Sequence, residues 1–212
     1  MAPVPVRGRQ PIEHVFERQQ PRTTGIASGS MDLAGRVYFD LVTPDVWRFY
    51  LLLLSAQREG ARVGLEWKPY LDGGVPEGPL EGHGALLAAC ELVRHDVVMS
   101  HGPFVSALLT AIHAEGAGAD DPDLVALAGR VAGVDGEIVS SGAVAGPGRV
   151  LLLASQREAE SLGVDAVPSL YRHGPVLAVR TTSTAAGAGA LARLQVIEGM
   201  LSDDGLWELR KP

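Results

Sequence analysis

The sequence predicts an α/β fold, and three features of the chain predict it. A strand, a helix and a second strand follow one another over 36–67, an order typical of a parallel β-α-β unit. A long helical stretch covers 85–141, and a hairpin-like segment at 163–180 precedes a last helix at 186–201. With 212 residues and 46% hydrophobic content, the chain can bury a sizeable core.

The first strand, predicted over 36–41, runs directly into the start of a helix. Thr43 takes the N-cap position and Pro44 the first helical position, a pairing that favours helix initiation. The helix is predicted to continue to about Glu59 and to stop at Gly60. Apolar residues cover most of its circumference, so it should be buried on several sides.

A second strand at 62–67 should pair with the first in parallel, and a loop rich in Gly and Pro follows it. The stretch 85–141 has helical periodicity. Breaks are predicted at 101–103, 116–118 and Gly133. A helix start is predicted at 120–123, where Asp precedes Pro and leucines follow at helical spacing.

The C-terminal part begins with a Gly/Pro linker at 142–148. A helix to about residue 162 follows, then two strands around a turn at His173 and Gly174, and the last helix. The domain prediction is a flexible N-terminal extension at 1–30 and a main domain formed by 31–78 and 142–212. The segment 79–141 is predicted as a helical insertion into that domain.

Composition excludes several classes of function. The net charge is −7 and the basic residues are scattered, which argues against nucleic acid as a partner. The longest apolar runs fall far short of the roughly 20 residues that cross a bilayer, so no membrane association is expected. The N-terminus lacks the apolar core of a secretory signal, which predicts a cytoplasmic location. Only Lys68 and Lys211 are lysines among 18 basic side chains, a bias that fits a GC-rich actinobacterial genome.

The order of these elements, with the motifs TPDVW, WKPY and GVDAVPSL, resembles the DsbA-like branch of the thioredoxin superfamily from about residue 35 to the end. The resemblance implies a thioredoxin-like fold with a helical insertion domain. Thr-Pro followed by Trp47 is similar to the Ser-Pro corner of kappa-class glutathione transferases and 2-hydroxychromene-2-carboxylate isomerases. The closing segment, from LARLQVIEGM onward, is similar to the tail of mycothiol-dependent nitroreductases.

The resemblance places the candidate site where the first helix begins. Relatives with redox activity carry Cys-x-x-Cys at this corner, whereas the four positions here read Thr43, Pro44, Asp45 and Val46. The chain has one cysteine, Cys90, so protein disulfide exchange is excluded as its activity. Helical periodicity around Cys90 predicts a buried thiol.

Val167 and Pro168 match the Val-Pro of the superfamily, in which the proline is cis and faces the helix start. The resemblance implies that the Val167 backbone pairs with the backbone of a bound ligand. A trans proline that opens a strand is the alternative.

Thr43 has two candidate roles. The resemblance implies that its hydroxyl donates a hydrogen bond to the sulfur of glutathione or mycothiol, with Pro44 and Trp47 beside it. The thiol would supply the nucleophile that the chain lacks. Alternatively, the hydroxyl only caps the helix.

Asp45 would repel a thiolate, or act as a general acid or base, or only stabilise the first helical turn. Thr182, in a run of hydroxyl residues before the last helix, either binds an anionic group or belongs to a flexible loop. No metal site is expected, because the histidines at 95, 101 and 113 lack the spacing of helical metal ligands.

Three functions remain open. The first is a thiol-dependent isomerase or transferase that acts on a small conjugated or aromatic substrate. The second is a catalytically inactive relative that binds a small molecule. The third is an assembly protein, since the resemblance implies a homodimer.

Overall fold

A computed structural model describes residues 31–96, 98–174, 176–180 and 189–202, and within them a four-stranded mixed sheet has helices on both faces. The strands are β1 (Asp32–Phe39), β2 (Arg62–Pro69), β3 (Ser169–Tyr171) and β4 (Leu177–Ala178). The strand order is β2-β1-β3-β4, in which β1 and β2 are parallel and the other neighbours are antiparallel. The predicted β-α-β unit and hairpin are therefore confirmed, although β1 begins and ends earlier than predicted.

Helices fill most of the remaining described chain. They are α1 (Pro44–Arg58), α2 (His83–Asp96), α3 (Val98–His113), α4 (Pro122–Ala132), α5 (Gly136–Ala145), α6 (Pro147–Ser161) and α7 (Ala190–Ser202). The start of α4 is as predicted, because the Asp121 carboxylate accepts a hydrogen bond from the N–H of Asp123 at 2.9 Å. Gly133 ends that helix in the left-handed region with φ 73°.

The two faces of the sheet differ in chemistry because side chains alternate along β1 and β2. Arg36 and Tyr38 lie opposite Glu66 and Lys68 on the face that packs against α2 and α6. The other face carries Phe39 and Trp67, whose rings meet edge to face at 5.2 Å. Tyr50 of α1 contacts Trp67 on this second face, so α1 covers the aromatic side of the sheet.

Two polar contacts fix α7 to the rest of the fold. The carboxylate of Glu59, just after α1, accepts a hydrogen bond from the Leu191 N–H at 2.9 Å and so satisfies a free donor at the helix start. Arg172, after β3, donates to both carboxylate oxygens of Glu198 at 2.7 Å. The last helix is thereby held against α1 and the hairpin.

The break predicted at 101–103 is wrong. Helix α3 continues through Pro103, although proline removes one backbone donor from a helix interior. Phe104, Leu108 and Leu109, which follow it, are fully buried. Their burial outweighs the lost hydrogen bond.

The linker predicted at 142–148 is also wrong, since only Gly146 separates α5 from α6. The glycines in this segment allow helices to approach closely. A Cβ on Gly142 would lie 2.7 Å from the Leu92 side chain, and one on Gly148 would lie 2.6 Å from the Ala88 carbonyl. Composition alone cannot separate a glycine that permits packing from one that permits a turn.

Some predictions concern residues outside the described ranges: the extension at 1–30, the hydroxyl-rich run that includes Thr182, and the C-terminal tail. Among the described helices, no single one has the length and apolar composition of a membrane span. The pair Gly136–Ala143 and Pro147–Ser161, bent by 63°, meets that test only when the two are taken together.

Candidate functional site

The candidate site lies where β1 ends and α1 begins, at the carboxyl edge of the parallel strands, which is where open α/β sheets commonly bind ligands. A turn from Asp40 to Thr43 joins the two elements, and the Thr43 N–H donates to the Asp40 carbonyl at 3.4 Å. Thr43 is the N-cap residue, with extended φ −76° and ψ 120°. Its predicted position is therefore confirmed.

The Thr43 hydroxyl does not cap the helix, which corrects the interpretation of this residue as only a cap. Val46 carries the N–H that an N-cap side chain often accepts, and here it donates to the Thr43 carbonyl at 3.0 Å. Pro44 has no N–H to offer. The first turn is thus closed by backbone contacts, and the hydroxyl is left without a capping role.

The Val167–Pro168 peptide bond is cis, as predicted. Because Tyr38 pairs with Ser169, continuing the register by two residues places Val167 beside Asp40 at the end of β1. Pro168 is held there, since its carbonyl accepts the Val179 N–H at 2.9 Å. Among the described residues, neither the N–H nor the carbonyl of Val167 has a hydrogen-bond partner.

Asp45 forms an ion pair with Arg48, one turn further along α1. Both side chains are about one third exposed. The charge of Asp45 is therefore balanced within its own helix. This pairing reduces the repulsion that Asp45 would exert on an anion at the helix start.

An aromatic cluster lies next to the corner and joins α1 to α3. The Trp47 ring stacks on His113 at 5.5 Å with an interplanar angle of 10°, and on Tyr50 at 5.6 Å. The His113 Nε2 lies 2.8 Å from the Leu41 carbonyl, inside the turn that precedes α1. The Tyr50 hydroxyl contacts the hydroxyl of Ser106 on α3. These contacts fix the orientation of the Trp47 ring next to the start of α1.

Asp40 and His83 form a polar pair at the same corner that the sequence analysis missed. Asp40 is 2% exposed, and its carboxylate lies 3.3 Å from Nε2 of His83, the first residue of α2. Asp40 also accepts the Val42 N–H at 3.1 Å. The one signal in the sequence is an acidic residue that directly follows a buried strand at its carboxyl end.

A network of charges lies beneath the sheet, on the face covered by α2 and α6. Lys68 is almost fully buried and pairs with Glu158 at 2.6 Å. Burial would raise the pKa of Glu158, but the hydrogen bond and charge of Lys68 and the charge of Arg36 outweigh it and lower that pKa. Arg94 of α2 binds Glu66 of β2 at 2.8 Å. The network joins helices to strands by paired charges.

His101 of α3 lies near this network and is 5% exposed. Burial, followed by the positive charges of Arg94 and Lys68, lowers its pKa to about 3. Its Nε2 has no hydrogen-bond partner among the described residues. The imidazole is therefore neutral in the folded protein at neutral pH.

The structure thus gathers Thr43, Pro44, Trp47, Val167 and Pro168 at one edge of the sheet. Asp45 faces Arg48 instead. Thr182 lies outside the described residues. The single cysteine, Cys90, is buried as predicted, and burial and then the charge of Glu91 raise the pKa of its thiol well above the ordinary value.

No protein-family model matches the sequence, and no curated protein is significantly similar to it. Solved structures do share its fold. A candidate protein disulfide isomerase from Nitrosomonas europaea is 11% identical, with a TM-score of 0.57 over 80% of this chain and 98% of that one. A candidate DsbA oxidoreductase from Streptomyces coelicolor is 15% identical, with a TM-score of 0.56 over 83% and 94% of the two chains.

The cytosolic disulfide reductase DsbM from Pseudomonas aeruginosa, whose structure was solved with GSH, is 16% identical. Its TM-score is 0.52, over 79% of this chain and 100% of DsbM. At such low sequence identity, the structural similarity shows a shared fold and no more. The expected DsbA-like thioredoxin fold is confirmed.

Proposed function

We propose that this DsbA-like chain binds a low-molecular-weight thiol, glutathione or mycothiol, at the start of α1 and uses it in an isomerase or transferase reaction. The observation that carries the proposal is the Thr43 hydroxyl, which does not cap its helix although it stands at the N-cap position. Its position at the positive end of the helix dipole favours an anionic sulfur as its partner.

The residues at the corner fit such a thiol. The Val167 N–H and carbonyl are unpaired among the described residues and match the hydrogen-bonding groups of a peptide-like ligand. The Thr43 hydroxyl donates to the sulfur, while the pairing of Asp45 with Arg48 limits competing negative charge. When bound, the thiol supplies a nucleophile that the chain itself does not present.

The aromatic cluster supports the proposed substrate class. The rings of Trp47 and His113 are stacked and nearly parallel, and they are held by contacts to Tyr50 and to the Leu41 carbonyl. A flat, conjugated substrate gains most from stacking on such a surface. The proposed substrate is therefore a small aromatic or conjugated molecule.

A second candidate is a binding protein without catalysis. The favouring observation is that Trp47 already contacts two rings, His113 and Tyr50, so part of its surface is occupied. In this case the corner binds a thiol or another small ligand and performs no reaction. Turnover of conjugated substrates distinguishes the two candidates.

Calorimetric titration with glutathione and with mycothiol tests whether a thiol binds, which the proposed enzyme requires and the binding protein allows. Thr43→Val keeps the shape of the side chain and removes its hydroxyl, whereas Thr43→Ser keeps the hydroxyl. We expect saturable binding that weakens about tenfold in Thr43→Val, the loss of one charge-assisted hydrogen bond of roughly 1.4 kcal/mol. Thr43→Ser should bind nearly as well as the wild type.

The control variant is Ser141→Ala, which removes an exposed hydroxyl from α5 and should leave binding unchanged. Failure of both thiols to bind the wild-type protein would refute the thiol-dependent function. Binding without turnover of any thiol-reactive conjugated substrate would instead favour the binding protein.

A further inference from the structure

We propose that His83, oriented by the buried carboxylate of Asp40, accepts the proton of the thiol that binds at the start of α1. The inference rests on the proposed function and names the base of that same site. Neither residue has a role in holding the thiol as described above, so the pair adds a separate chemical step.

Asp40 connects the imidazole to the helix start. One carboxylate oxygen lies 3.3 Å from the His83 Nε2, and the other accepts the Val42 N–H at 3.1 Å. The backbone carbonyl of the same residue accepts the Thr43 N–H. His83 is thus attached to the turn that presents Thr43, at the edge of the sheet where the ligand is proposed to bind.

The pair has the arrangement of a base and its orienting acid. A buried carboxylate acts as an acceptor, so the hydrogen bond places the His83 proton on Nε2 and the lone pair on Nδ1. Among the described residues, Nδ1 has no hydrogen-bond partner, and the side chain is 31% exposed. A carboxylate in this position fixes the tautomer and stabilises the imidazolium that forms on proton transfer.

The charges around His83 strengthen it as a base. The hydrogen bond that His83 donates to the Asp40 carboxylate raises the pKa of His83, burial opposes this rise, and the charges of Asp40 and Asp120 add to it. Asp120 belongs to the loop between α3 and α4. A more basic imidazole is a better acceptor for a thiol, whose ordinary pKa is about 8.5.

The step conserves atoms and charge. Nδ1 of His83 takes the proton from the thiol, directly or through one water, and a new N–H bond forms. The electron pair of the broken S–H bond stays on sulfur, next to the Thr43 hydroxyl. No proton is released to solvent, and the imidazolium formed lies against the Asp40 carboxylate.

Nuclear magnetic resonance titration of the histidine rings tests the step. The wild-type protein is titrated alone, with saturating glutathione, and with γ-glutamyl-2-aminobutyryl-glycine, in which a methyl group replaces the thiol. We expect glutathione to raise the pKa of His83 by at least one unit and the methyl analogue to leave it nearly unchanged. Mycothiol replaces glutathione if it is the thiol that binds.

Variants assign the signal and test the role of Asp40. His83→Gln identifies the resonance by its loss, and the exposed His173 in the hairpin turn serves as an internal control that should not respond. In Asp40→Asn the pKa of His83 should fall and the rise caused by glutathione should shrink. If the link between Asp40 and His83 is purely structural, the pKa of His83 should be the same with glutathione and with the methyl analogue.

The outcomes separate this inference from the proposed function. If glutathione binds and His83 responds equally to glutathione and to the methyl analogue, the base assignment is overturned while thiol binding stands. If neither glutathione nor mycothiol binds, the proposed function fails and the assignment fails with it.

Discussion

Thr43 stands at the N-cap position and leaves its hydroxyl out of the cap, which separates this residue from an ordinary helix start. A threonine at such a corner cannot form a disulfide, but its hydroxyl offers a hydrogen-bond donor at the start of the helix. The physical consequence is that the hydroxyl contributes little to folding and is available to a ligand.

This view predicts a small stability cost for Thr43→Val. Removal of a capping hydroxyl typically costs about 1 kcal/mol of the free energy of unfolding. Here the cost should stay below about 0.5 kcal/mol, because Val46 donates to the Thr43 carbonyl in either case. Urea unfolding measures the difference, and a loss near 1 kcal/mol or more would show that the hydroxyl caps after all.

His101 predicts how stability depends on pH. Its pKa is about 3 in the folded protein and about 6.5 when unfolded, so the unfolded chain binds a proton that the folded protein does not. The stability that depends on the neutral ring is complete above pH 6.5 and falls as the pH falls below it. Between pH 6.5 and 5 the wild-type protein should lose about 1.7 kcal/mol through this residue.

His101→Leu removes the titrating ring and should flatten this part of the profile. Urea unfolding at several pH values measures both proteins, and His173→Leu, at an exposed position, is the matched control. Equal slopes for the wild type and His101→Leu would contradict the prediction.

Single residues mark the limit of sequence reasoning here. The N-cap position of Thr43 and the cis Val167–Pro168 bond could be predicted because both belong to local motifs. The pairing of Asp40 with His83 was missed, because two secondary-structure elements separate them and only the tertiary fold brings them together.

At the scale of elements, α5 and α6 show why a Gly-rich segment is ambiguous. The same composition predicts a linker when glycine supplies flexibility and a helix contact when glycine supplies space. Gly136 is a clear instance of the second kind, since a Cβ there would lie 2.3 Å from the Ala126 backbone. The sequence pattern located the surrounding helices well but could not reveal these contacts.

Two glycine-to-alanine substitutions distinguish a glycine that makes room for a neighbouring helix from one that has no close neighbour. Gly148→Ala in α6 should destabilise the protein by about 2 kcal/mol or more, because the new methyl group would overlap the Ala88 carbonyl. Gly199→Ala in α7 meets nothing within 4 Å and should stabilise by about 0.5 to 1 kcal/mol through helix propensity. Thermal or urea unfolding of both variants measures the difference, and effects of the same sign would contradict the close contact.

At the scale of the whole molecule, the fold was predicted from the order of its elements, which the solved DsbA-like structures bear out. A scaffold whose solved neighbours include disulfide enzymes is here combined with a single buried thiol. The DsbA-like fold therefore does not imply disulfide chemistry in this chain, because one architecture can support different chemistry when the residues of its site differ.

This combination predicts that the folded protein lacks thiol reactivity. Cys90 is fully buried, and its raised pKa keeps the thiol protonated. An Ellman-type reagent should react with the native protein only at the slow rate of unfolding, and with one thiol per chain in denaturant. The native protein should also fail to accelerate the reduction of insulin. Cys90→Ala is the control, and rapid labelling of the native protein would contradict the prediction.

The pairing of β1 sets an order of events while the chain is being synthesised. Arg36 of β1 pairs with Glu66 on one side and with Tyr171 on the other, so helices α2 to α6 are all made between the two pairings. On the ribosome, β1, α1 and β2 can associate early, whereas the inner edge of β1 stays open until β3 emerges. The corner that carries Thr43 is therefore completed only after helices α2 to α6 have been made, when Val167 and Pro168 arrive beside it.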